Sequence, residues 1–154
     1  MKKNERISAF VARLGGGSDL ALDPRYLGYF TCFNAQQYYE AHDVLENLWL
    51  ETEGEDFGFF KGLIQVAGAF VHLQKQYLHP EHAKHGRRLR PAARLFDLAI
   101  GNLEPFAPEH LHLDVAHLCQ LCRALAAELS ASDFQRNPWQ PASAPQLRLK
   151  SSAS

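Results

Sequence analysis

The sequence predicts an all-α fold, a single-domain antiparallel bundle of about five helices. Three observations predict it. Apolar residues recur at helical spacing along most of the chain, beginning with Ile7, Phe10, Val11 and Leu14. No segment alternates apolar and polar residues, so no sheet is expected. Aspartate, asparagine, glycine and proline fall between the periodic stretches, where helices start and stop.

Ile7 to Leu14 form a short first helix, ended by Gly15-Gly16-Gly17. That glycine run reads as a flexible connector, because no strand precedes it and no lysine follows. Asp23-Pro24 is an N-cap followed by a proline at the first helical position, opening a brief helix through about Tyr29. Asn34 then stands as the cap of a second long-range element, with Gln37 at the capping-box position, and that helix runs to about Thr52. The polar residues from Glu51 to Asp56 make a turn, and Asp56 caps a helix reaching about Leu78. His79-Pro80 breaks the chain. A further helical segment, Glu81 to Ile100, contains Pro91, which should kink or split it. Gly101-Asn102, Pro105 and Pro108 mark a loop, and Asp114 begins a last helix to about Leu129. Residues 1–129 are therefore expected to form the helical domain. Residues 130–154, rich in Ser, Ala and Pro, are expected to be a mobile tail with Trp139 as an anchor point.

A chain of 154 residues suits one domain with a substantial core, and 46% hydrophobic residues is ordinary for a globular protein. Net charge is −1, so no global field draws it to nucleic acid or an anionic membrane. The longest apolar run, near GLIQVAGAFVHL, is too short and polar to span a bilayer. The charged start, MKKNERISAFVARL, does not read as a secretory signal. Three cysteines, Cys32, Cys119 and Cys122, argue for a reducing, cytoplasmic setting over a disulfide scaffold. Eight histidines raise metal or proton chemistry.

The stretch YYEAHDVLENLW carries the main anomaly. On a helix, Tyr38, Tyr39, Glu46 and Trp49 all lie within about 60° of His42, while Asp43, Asn47, Glu40 and Glu51 occupy the polar arc. A histidine and a carboxylate one turn apart thus sit among aromatics. Burying an unpaired carboxylate there costs on the order of a few kcal/mol, so the pair should share a proton, hold an ion or find a partner. Two readings stay open. His42 and Glu46 are catalytic residues or ligands to a divalent metal, with other ligands from elsewhere. Alternatively they tie two helices together by hydrogen bonds. The next long helix supplies a second stripe: Lys61, Gln65, His72 and Gln76 share a face flanked by Gly62, Gly68 and Ala69. Glycine inside a helix costs about 1 kcal/mol relative to alanine, so two glycines there suggest the close approach of a backbone, side chain or ligand.

Together these residues resemble a family of uncharacterised bacterial and archaeal proteins, the domain of unknown function 309 family. Its signatures HxxxExxW and FxxGxxQ are matched by His42, Glu46 and Trp49, and by Phe59, Gly62 and Gln65. The match extends from about Phe33 to His72, and this chain has Asp43 where the family commonly has glutamate. Asp43 points to the polar arc, so that departure puts little in doubt. The resemblance implies an all-helical fold and a shared polar site, and no established activity. In the site reading it implies, His42 is a general base or ligand and Glu46 orients it. Gln65 donates to a substrate or to Glu46, and Tyr38, Trp49, Phe59, Gly62 and His72 line the pocket.

Elsewhere, His79, His82 and His85 with Lys84, Arg87, Arg88 and Arg90 form either an anion-binding edge or a solvated face. Cys119 and Cys122 make a CxxC with neither a second pair nor a preceding strand, which suits small apolar core residues. His110 and His112 fall in or near a loop and call for no role. The function readings are a small-ligand or metal-binding protein, with hydrolysis as its chemistry, and a non-catalytic helical assembly module. Expected partners are accordingly a small molecule or metal ion, or a second copy of the chain. Neither a membrane nor nucleic acid is expected.

Overall fold

The computed structural model describes residues 6–7, 22–82 and 87–150. Five helices stand among them: α1 (Pro24–Asn34), α2 (Tyr38–Trp49), α3 (Asp56–Leu78), α4 (Leu89–Leu103) and α5 (Val115–Ala131). Each helix packs against its neighbour in sequence, α1 on α2 through to α4 on α5, in an all-α bundle. Ile7 is buried; the remainder of the expected first helix and the Gly15–Gly17 connector lie outside the described residues.

Two caps sit where the sequence places them. Asp23 accepts from the Arg25 backbone N–H at 2.8 Å with Pro24 opening α1. Asp114 accepts from the His117 N–H at 3.0 Å at the head of α5. Asn34 is different: it closes α1 instead of capping α2, whose N-cap is Gln37 with no side-chain bond. Its amide is taken by a distant strand of chain. Leu147 N–H donates to Asn34 Oδ1 at 2.7 Å, and Asn34 Nδ2 donates to the Leu147 carbonyl at 2.8 Å. α4 starts at Leu89, not Glu81, so Pro91 falls in its first turn. A proline there loses no intrahelical hydrogen bond, which removes the expected kink. The helix also runs through Gly101-Asn102 to Leu103, and Pro105 follows in a 3-10 turn, Glu104–Phe106.

A two-stranded ladder departs from the expectation of no sheet. β1 (Glu109–His110) pairs antiparallel with β2 (Leu113–Asp114). Leu111 and His112 link them at φ 45° and 67°, the left-handed backbone that a two-residue hairpin turn demands. Without asparagine or glycine at those positions, the sequence carries no hairpin signal.

The core is aromatic. Phe33 meets Tyr38 and Phe70 edge-on at 5.1 and 5.0 Å, and Phe70 meets Phe96 at 5.5 Å. The buried phenols are satisfied: Tyr29 donates to the Leu63 carbonyl at 2.6 Å and Tyr26 to the Leu111 carbonyl at 3.0 Å. Residues 132–150, part of the stretch expected as a mobile tail, lie along this core. Trp139 is 3% exposed and Leu147 4%. Trp139 Nε1 donates to the Tyr38 hydroxyl at 3.0 Å, and Asn137 Nδ2 donates to the Leu73 carbonyl at 2.8 Å. No helix among the described residues is long and apolar enough to cross a membrane.

Candidate functional site

The residues expected to share one pocket are divided among three places. Tyr38 and Phe59 are fully buried in the aromatic core. Phe59 packs beside Tyr26, Phe60, Phe106 and His110.

The second place is the seam between α3 and α4. A methyl group on Gly62 would sit 2.7 Å from Leu103 Cγ and 3.2 Å from Asn102 Cβ, so the glycine lets α4 approach closely. Gly68 approaches Leu95 Cδ1 in the same way, at 3.2 Å. Gln65, His72 and Gln76 of the stripe are engaged by α4 and its N-cap. Asn102 Nδ2 donates to Gln65 Oε1 at 2.7 Å. The Arg88 backbone N–H donates to Gln76 Oε1 at 2.9 Å, capping α4 from outside. The Arg88 guanidinium lies 3.1 Å from His72 Nδ1, an arrangement in which the ring accepts and is neutral. Burial, then the charges of Arg88 and Lys75, push the His72 pKa down to about 4.

The third place is the outer edge of α2, with His42, Glu46 and Trp49. His42 Nδ1 pairs with Asp43 Oδ1 at 3.1 Å, not with Glu46, and its side chain is 32% exposed. Asp43, read from the helical wheel as part of the polar arc, is thus the residue that orients the imidazole. Tyr39 lies alongside the ring, 6.4 Å between centroids. Glu46 is partly buried one turn on. Trp49 stacks on Phe57 at 4.9 Å, and its buried indole N–H has no acceptor among the described residues. Among the described residues no third ligand converges with His42 and Glu46.

Ligating atoms do converge elsewhere. Glu55, Asp56 and His110 each offer an atom within 4.8 Å of the others. Asp56 Oδ1 and His110 Nε2 are 2.7 Å apart, and the rings of Phe59 and Phe106 flank the imidazole at 4.7 and 4.8 Å. The sequence passes over His110 because nothing in its spacing relates it to a carboxylate 54 positions earlier. The hairpin turn brings it there.

All three cysteines are free and buried. Burial foremost, then the Cys119 charge, pushes the Cys122 thiol up to about 12, and burial likewise raises Cys119. Such thiols stay protonated and unreactive, as the apolar-core reading of the CxxC expects.

Residues 26–80 match the model of a family described as Domain of unknown function (DUF309), a span that contains His42, Glu46, Trp49, Phe59, Gly62 and Gln65. No curated protein matches the chain, and no solved structure does.

Proposed function

We propose that the chain is a non-catalytic helical module in which the FxxGxxQ motif and its neighbours form the framework that sets α4 against α3. The observation that carries this is the Gly62 contact: a single added methyl would meet Leu103 Cγ at 2.7 Å. Gln65 and His72 support it, since each is engaged by a residue of α4 or its N-cap. Polar groups of this kind fix helix register, because a slipped pairing leaves them buried without partners. Hydrolysis by His42, Glu46 and Gln65 together has less support, as Gln65 is held by Asn102 and His42 by Asp43. The test is a double-mutant cycle on Gln65→Ala and Asn102→Ala, read by urea unfolding. A coupling of about 1 kcal/mol is expected for one direct hydrogen bond. Zero coupling would remove Gln65 from the framework and return it to a pocket.

A second reading keeps the expected divalent metal but moves it from His42 and Glu46 to Glu55, Asp56 and His110, on the strength of the 4.8 Å convergence. Two carboxylates and one imidazole suit zinc or manganese. Zinc titration of the His110→Ala and His42→Ala variants separates the sites. Loss of binding in the first alone supports the new placement, and loss in the second alone restores the old one.

A further inference from the structure

We propose that the cleft at the start of α4 binds a phosphate-bearing small molecule. This goes beyond the framework reading and uses a different surface. The cleft has a volume of about 650 Å³ and is lined by Gln76, Arg87, Arg90, Arg94, Asp133 and Phe134, among others. Three arginines and one aspartate therefore line it.

The charge arrangement is the wrong way round for an ordinary helix. A helix N-terminus carries a partial positive charge and favours acidic side chains in its first turn. α4, fifteen residues long, has none there and carries Arg90 in its place, with Arg88 at the N-cap. Several cations elsewhere are paired. Arg25 meets Asp23 and Glu51, Arg123 meets Glu104, and Lys150 meets Glu109. Among the described residues, Arg87, Arg90 and Arg94 make no ion pair. An anion in the cleft would answer both the dipole and the guanidinium groups.

The walls are held in shape. Asp133 and Phe134 both adopt left-handed backbone, φ 52° and 60°, clamped by Phe134 N–H donating to the Leu129 carbonyl at 2.8 Å. That turn puts the Phe134 ring 4.1 Å from the Arg90 guanidinium. A guanidinium stacked by its face keeps its in-plane N–H donors for an oxyanion. The volume exceeds what a lone inorganic phosphate fills, which leaves room for an organic moiety.

Isothermal titration of the full chain with inorganic pyrophosphate at low ionic strength tests this. Wild type is expected to bind, and Arg90→Gln with Arg94→Gln to weaken binding by about tenfold or more. Arg148→Gln, an exposed arginine elsewhere, should leave it unchanged, and Asp133→Asn should tighten it. Should the double variant fail to fold, Arg87→Gln alone and pyrophosphate-induced amide shifts at Leu89 and Arg90 in wild type carry the same test. No binding at millimolar pyrophosphate, equal binding by the variants, or equal loss in Arg148→Gln would overturn the site. Citrate bound as tightly as pyrophosphate would overturn the phosphate assignment. A short single-stranded oligonucleotide bound more tightly than either would overturn the small-molecule assignment.

Discussion

The two motif halves meet opposite fates. The α3 half is sealed: Phe59 and Gly62 are buried and Gln65 is bonded to Asn102. The α2 half stays near the surface, with His42 beside Asp43 and the Tyr39 ring, and, among the described residues, with no acceptor for the Trp49 indole N–H. One half is explained by packing, since removing any member opens or jams a helix contact. The other half is not: a partly exposed imidazole contributes little to a core. The difference teaches that two motifs linked in sequence need not serve one site.

The widest separation is expected between Phe59 and His42. Phe59→Ala should destabilise by about 3–5 kcal/mol, as for other large buried aromatics, measured by urea unfolding. Gly62→Ala comes next. Overpacking against Leu103 costs about 1–3 kcal/mol and the better helix propensity of alanine returns about 1, so a net loss of up to about 2 kcal/mol is expected. A stabilised Gly62→Ala protein would break the sealed-seam account. His72 sharpens the comparison through pH. Burial and Arg88 depress its folded pKa to about 4, whereas the unfolded ring titrates near about 6.5. Between these values the unfolded chain binds more protons, so this contribution is full above about pH 6.5 and is lost as pH falls toward about 4. His72→Gln should flatten that part of the stability profile relative to wild type. The smallest effect belongs to His42→Ala, within about 0.5 kcal/mol. A loss above about 2 kcal/mol there would erase the contrast between the halves.

Much of the bundle was legible because its signals are local. Asp23-Pro24 and Asp114 cap helices by reaching two or three residues ahead, and a sequence shows such distances directly. The α3 stripe was also legible as a face, although its occupant was not. Gly62 and Gln65 announce that something comes close, and only the fold reveals it to be Leu103 and Asn102. The failures share a cause. Asn34 looks like a cap until Leu147, 113 positions away, takes both ends of its amide. Pro91 looks like a breaker until the helix begins two residues before it. Leu111 and His112 hide a turn because their left-handed backbone is imposed by the ladder and not by residue type. Asp43 was dismissed on a helical wheel, which shows direction but not the short sideways reach to an adjacent ring.

The clasp between Asn34 and Leu147, with the Trp139 bond to Tyr38, has a consequence for synthesis. During translation the first helix pair leaves the ribosome long before either partner does. Until Trp139 and Leu147 follow, the Tyr38 hydroxyl and the Asn34 amide must be served by water, and the nascent bundle keeps a greasy flank open. A truncated product ending before Trp139 would carry that flank permanently, as a surface that chaperones recognise.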